Sequence, residues 1–435
     1  MAMVARSLRH RNFQLYFAGQ GISVTGTWMQ RTAISWLVYR LTDSELALGV
    51  VGFASHFFTF LLAPFAGVLS DRINRRSLIV LTQGLAMVQA FVLAALTIKG
   101  IITVPHIIIL SAVLSLVEAF DTPVRQAFVV EMVDSREDLP NAIAMNSFLF
   151  NAARLVGPSL AGLMIWWTNE GICFLLNAVS FVAVLFSLLA MKLRPFVKKA
   201  NQPAILHNLK EGFVYAFGFM PIRSILLLLS LYSLLGLSYR TLMPVVARNV
   251  LHGGPETMGF LMSATGVGAV IGALLMASRQ SVRDFGRAIA GASMLFSVSL
   301  ICFSFSSILS FSLMLMVVVG FAGMVQMVSC NTLLQTLVDD DKRGRVMSFY
   351  TMSLLGVAPF GNLITGALAS GFGARWAMAL SGVGCAISAA FFAFRLPRFT
   401  KCVNPIYIEK GIMPATPPED GDGALPIEQI EKTKS

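Results

Sequence analysis

Away from the ends of the long apolar runs, five charged side chains stand where charge is rare: Arg31, Glu118, Asp121, Arg154 and Arg240. In hydrocarbon surroundings a carboxylate can take up and release a proton, and a guanidinium can hold an oxyanion through two parallel hydrogen bonds. Ser111, Ser115, Glu118 and Thr122 recur at i, i+4, i+7 and i+11, so a helix gathers them into one polar stripe. At 1.5 Å per residue, Glu118 lies roughly 20 Å from the outer end of its segment and Arg154 roughly 20 Å from the inner end of its own. In a core about 30 Å thick their levels differ by about 10 Å, near the reach of two extended side chains. The expectation is a Glu118–Arg154 pair that opens when Glu118 takes up a proton, with Asp121 as a second carboxylate beside it. A static structural ion pair is the alternative.

Arg31 and Arg240 fall at similar depths in the first and seventh apolar runs. Gln20, Ser23, Thr27 and Gln30 continue a polar face around Arg31, and Trp28 adds an aromatic wall. Two such arginines suit an anionic small-molecule substrate; the alternative is that both reach the interface and carry no ligand. His56, His106, His207 and His252 stand alone, and the five cysteines are scattered without metal-ligand spacing, so neither a metal nor another cofactor is expected. No phosphate-binding glycine loop and no Ser-His-Asp or Cys-His arrangement is present, which points away from ATP-driven work and from enzymatic catalysis.

The elements that position these groups are membrane helices. Of 435 residues, 56% are hydrophobic and only 13% charged, where soluble domains carry about 25% charged residues; mean hydropathy is +0.74. The apolar runs predict an all-α membrane protein with twelve spans near 13–39, 47–69, 78–98, 105–125, 141–166, 172–191, 222–247, 257–278, 288–306, 309–336, 346–370 and 375–395. The net charge of +11 does not mean nucleic acid here, because the basic residues collect on one side. With the N-terminus cytoplasmic, 26 of the 33 Lys and Arg fall on that side and four on the other. The positive-inside bias therefore places both termini in the cytoplasm of a plasma membrane, the inner one if the cell has two. The basic start runs into an apolar segment too long for a signal peptide and reads as a retained first helix.

The two halves echo each other, with Gly157 and Gly162 corresponding to Gly361 and Gly366 at an offset of 204. The organisation expected is a six-helix bundle over 1–191, a linker over 192–221 with an amphipathic stretch at 205–219, a second bundle over 222–397, and a disordered tail over 398–435.

Between the second and third runs stands Gly67-Val-Leu-Ser-Asp71-Arg72-Ile-Asn74-Arg75-Arg76, which resembles the cytoplasmic signature of major facilitator superfamily transporters. More narrowly, RNFQLYFAGQGISVTGTWMQ, FDTPVRQAFVVEMV, NAARLVGPSLAG and RGRVMSFYTMSLLGVAPFGN resemble the branch that holds the enterobactin exporter and macrolide-efflux-like proteins, of the transmembrane secretion effector type. The resemblance implies two pseudo-symmetric six-helix bundles rocking about a site between them. It also implies a conformational lock on Gly67, Asp71, Arg72, Arg75 and Arg76, with Asp121 and Arg345 as partners; a merely solvated turn is the alternative. Asn74 departs from the usual glycine, but Asn tolerates the left-handed conformation. Gly157-Pro158 and Gly162 resemble a shortened form of the helix-5 motif of proton-coupled exporters, with ordinary small-residue packing as the alternative.

These residues and resemblances lead to a monomeric secondary active transporter that exports a small amphipathic molecule, siderophore-like or drug-like, in exchange for protons. The competing readings are an importer or uniporter of an organic anion, and a sensor or assembly subunit that keeps the fold without transporting.

Overall fold

A computed structural model describes residues 6–62, 74–133, 135, 137–192, 213–279, 281–339 and 342–413 in full, and the backbone alone of 63–70. Among these residues all regular structure is helical. Twelve long helices follow one another: α1 Arg11–Thr42, α2 Glu45–Ser70, α3 Arg75–Ile98, α4 Val104–Phe128, α5 Leu139–Trp167 and α6 Glu170–Ala190, then α7 Met220–Val250, α8 Pro255–Ala277, α9 Phe285–Phe305, α10 Leu309–Leu337, α11 Arg343–Phe372 and α12 Ala374–Glu409. Eleven are long and apolar enough to cross a membrane; α1 has the length, at 32 residues, but carries the polar face read above. Helix starts use familiar chemistry. Proline sits in the first turn of α4, α5, α7 and α8, where its missing N–H costs nothing.

Asn74 and Asn169 cap α3 and α6 through their side-chain oxygens. Asn74 has φ −59°, so the left-handed turn expected there is not formed; the side chain serves instead as a cap.

Within the first six helices, α1 packs on α5 and α6, α2 on α4, and α3 on α4 and α6. The second six repeat the plan, with α8 on α10, α9 on α10 and α12, and α11 on α12 and α7. Two seams join the halves, α5 against α8 and α2 against α11, and a shift of six helices exchanges one seam for the other. This is the two-bundle major facilitator fold. Glycines allow the close approach: a Cβ on Gly162 would stand 2.6 Å from the Pro255 carbonyl, and one on Gly259 2.6 Å from the Pro158 carbonyl. Gly49 and Gly366 do the same at the other seam.

The halves differ in regularity. Helix α7 holds a π turn at Tyr232–Gly236, a 3-10 stretch at Leu237–Leu242 and a second π turn at Val246–Val250. Helix α11 has a π turn at Met352–Gly356, and the first of these turns bonds to it through Ser233 Oγ donating to the Leu354 carbonyl at 2.6 Å. Such turns loosen a helix where its side chains must be re-aimed.

One organisational expectation needs correction. Helix α12 continues through Pro397 and Pro405 to Glu409, so the first part of the tail expected to be disordered is helical. Phe399, Val403 and Tyr407 recur every fourth residue and are buried, and the Tyr407 hydroxyl donates to the Val282 carbonyl. Residues 414–435, and most of the linker with its amphipathic stretch, lie outside the described residues; 213–218 are helical, with Phe213 and Phe217 packed on Phe349.

Candidate functional site

A cavity of about 430 Å³ opens among α1, α3, α4, α5 and α6, so its walls come from the first half alone. Arg31 and Glu118 face it together. The Arg31 Nη2 stands 2.7 Å from each Glu118 oxygen, and the guanidinium lies 5.6 Å from the centre of the Trp28 ring. Thr27 and Trp28 also line the space. Glu118 therefore pairs with Arg31, not with Arg154 as expected. Depth is not the reason, since Arg154 too lies roughly 20 Å from the far end of its helix. Direction is: α4 packs on α2 and α3 and touches α1, while the α5 residue next to Arg154, Leu155, meets α8.

One turn further along α4 is a second node. Asp121, 3% exposed, pairs with Arg125 at 2.9 Å and accepts hydrogen bonds from Thr82 Oγ1 and Gln83 Nε2 at 2.7 and 2.9 Å. Arg125 in turn donates to Gln20 Oε1 and stacks against Phe150. These bonds orient both amides, leaving Gln20 Nε2 and Gln83 Oε1 buried without partners in the structure. Asp121 is thus an internal bundle group, correcting its expected place in the conformational lock. Sequence reading missed Arg125, counting it in the following link; its i, i+4 spacing from Asp121 was the available signal. Gln30 turns away from the cavity into a buried chain, donating to Gln89 and accepting from Asn177.

Arg154 and Arg240 do not line this cavity. They lie within electrostatic range of each other, and neither has a carboxylate partner among the described residues. Arg240 rests over the Tyr239 ring at 5.8 Å. His56, read as isolated, is in charge range of Arg31, Glu118 and Arg240. Gly157 packs on α1 at Trp28, and Pro158 and Gly162 form the α5–α8 seam.

At the face where α1 begins, Arg75 pairs with Glu131 at 2.9 Å and Arg76 donates to the Leu189 carbonyl. Arg345 lies in the first turn of α11. Asp71 and Arg72 are outside the described residues, as are the surroundings of Gly67. Asp138 accepts from the His10 ring and from Arg6, and these bonds hold its carboxyl below the usual range. At the opposite face Arg40 grips the buried Glu170 with two hydrogen bonds, joining α1 to α6. There the halves also meet, through Arg248–Asp43 at 2.7 Å and Asn249 donating to the Tyr39 hydroxyl at 2.6 Å.

Residues 4–408 match the family model described as transmembrane secretion effector. The chain is 25% identical over 382 residues to the staphyloferrin A transporter of Staphylococcus aureus, across 87% of this chain and 95% of that protein. It is 26% identical over 390 residues to the enterobactin exporter of Shigella boydii, across 84% and 89%. It superposes with a TM-score of 0.71 on a bacterial homologue of the human lysosomal transporter Spinster in an inward-facing, occupied conformation. That match covers 90% of this chain and 97% of the other at 14% identity, a likeness of fold.

Proposed function

The chain belongs to the transmembrane secretion effector family of major facilitator transporters, and on that premise we propose that it is a proton-coupled exporter of a small amphipathic molecule of siderophore type. The observation that carries this reading is the Arg31–Glu118 pair on the wall of a polar cavity. Protonation of Glu118 breaks the pair, frees Arg31, and alters the α1–α4 contact from which a rocking motion can start. Two names among the relatives, a siderophore transporter and a siderophore exporter, support the cargo class.

The bias of basic residues supports termini in the cytoplasm of the plasma membrane, or inner membrane. In that orientation the contacts Asp43–Arg248 and Tyr39–Asn249 join the two halves at the outer face. The lock proposed for the cytoplasmic face draws on Arg75, Arg76 and Arg345, with Glu131 as the carboxylate that Arg75 engages in this form.

The test of direction and cargo is retention of labelled enterobactin by cells with and without the chain. Faster loss from cells that make it supports export; equal loss removes this cargo, and faster uptake favours an importer.

A further inference from the structure

Helix α12 runs for 36 residues, more than a bilayer core needs. At 1.5 Å per residue a core of about 30 Å takes roughly 20 of them, so the span that starts at Ala374 leaves the hydrocarbon near Phe394. The helix packs on α7, α9 and α11, all of the second half. Away from them it exposes one stripe, Trp376, Leu380, Val383, Ile387, Phe391 and Phe394, at steps of three or four residues. This stripe faces lipid, and its last member, Phe394, is 85% exposed. The same steps lead on to Arg398 and Lys401, which are exposed as well, with Arg395 at the edge of the stripe. The lipid-facing side of α12 thus turns basic at the level of the phospholipid headgroups.

The opposite side of the extension is fixed. Phe399, Val403 and Tyr407 are buried, and the Lys410 ammonium donates to the Thr336 carbonyl near the end of α10 at 2.7 Å. Leu396 meets the start of α9, where a Cβ on Gly286 would stand 3.1 Å from it. The basic side is therefore held outward. Side chains on a helix lean toward its N-terminus, which on α12 is toward the bilayer. Arg395 does so, with its guanidinium 4.3 Å from the centre of the Phe391 ring one turn back. An arginine reaching only for water would extend the other way. Among the described residues no carboxylate pairs with Arg395, Arg398 or Lys401. We propose that these three residues bind the headgroup phosphate of an anionic phospholipid, whose acyl chains lie along Phe391 and Phe394. Guanidinium groups hold a phosphate by paired hydrogen bonds. A zwitterionic lipid brings an ammonium that the three cations repel, so net charge decides which lipid stays. The orientation read above supplies only the side of the membrane, the cytoplasmic leaflet. A lipid held there ties the second half to that leaflet at a fixed depth.

Native mass spectrometry of the purified full chain tests this, with phosphatidylglycerol and phosphatidylcholine supplied in equal amounts in the micelle. The wild type should retain phosphatidylglycerol at least about tenfold more tightly than phosphatidylcholine. The triple variant Arg395→Gln, Arg398→Gln, Lys401→Gln should lose about tenfold of that preference or more. Arg395→Lys with Arg398→Lys keeps the charges and should keep most of the preference, which separates binding from misfolding. A matched variant, Arg9→Gln, Arg11→Gln, Lys192→Gln, removes three exposed charges from the same face of the first half. It should bind phosphatidylglycerol as the wild type does. An equal loss in the matched variant would reveal a diffuse effect of surface charge and overturn the site. Equal retention of the two lipids by the wild type, or an unchanged preference in the α12 triple variant, would overturn it too. None of these outcomes depends on cargo or on proton coupling at Glu118, so failure here and failure there are told apart.

Discussion

Arg31 and Glu118 meet across the α1–α4 contact with one guanidinium nitrogen 2.7 Å from both carboxylate oxygens, inside the first bundle and on the wall of its cavity. Their side chains are 37% and 19% exposed, so solvent screens the pair in part. Neutralising one partner strands the other. Arg31→Gln and Glu118→Gln should each destabilise by about 1–3 kcal/mol, below the 3–5 kcal/mol typical of a fully buried pair. The double variant should lose less than the sum. Thermal melting of the four proteins in one detergent measures this cycle, and strict additivity would mean the two groups are not coupled.

The contact between Asp43 and Arg248 ties the ends of α1 and α7 at one face, with Asn249 and Tyr39 beside it. Replacing Arg248 and Asn249 by alanine should shift the population toward a form open at that face. Spin labels at Leu41 and Leu251, in a chain freed of its five native cysteines, should show a longer distance. An unchanged distribution would show that these contacts do not hold the face closed, which leaves the α2–α11 seam and the α5–α8 seam to do so.

That seam has its own test. Leucine at Gly162 or Gly259 places atoms where carbonyls of the facing helix already stand, 2.6 Å from the Cβ position. The overpacking should cost about 1–3 kcal/mol and block transport, and vesicle transport with a melting curve reads both. Alanine should do less harm than leucine.

Asp138 anchors the N-terminal 3-10 turn to the start of α5 through His10 and Arg6. Its carboxyl is held below the ordinary value, first by the His10 hydrogen bond. A depressed carboxyl stabilises above its unfolded pKa, and the contribution disappears as pH falls through the folded one. Protection against hydrogen exchange at residues 6–10, taken relative to the intrinsic rate at each pH, should therefore fall on acidification through the carboxylate range. In Asp138→Asn that protection should be low throughout and lose its pH dependence.

Much of this architecture can be read from residue order alone. Apolar runs and basic links mark out the helices, and the charges of Arg31, Glu118, Asp121, Arg154 and Arg240 stand out one by one. Pairing is harder, because it depends on the direction each helix face takes after packing. Rise per residue puts Glu118 and Arg154 within conceivable reach, yet α4 touches α1, and Leu155, the neighbour of Arg154, meets α8 of the other half. Arg125 stands at the last position of its apolar run and reads as part of the basic link, yet α4 continues through Pro123 to Phe128. The extension of α12 was hidden by Pro397 and Pro405, although the spacing of Phe399, Val403 and Tyr407 carried it. The π and 3-10 turns of α7 follow from tertiary packing, such as the Ser233–Leu354 bond, which no local pattern encodes.

The central claim is that Glu118 couples cargo movement to protons. Everted membrane vesicles with an acidified lumen and an entrapped pH dye test it directly. Adding enterobactin should make the wild-type vesicles release protons, and Glu118→Gln vesicles should release none while still binding the cargo. Proton release by the Glu118→Gln vesicles at the wild-type rate would contradict the account and leave the Arg31–Glu118 pair a structural contact.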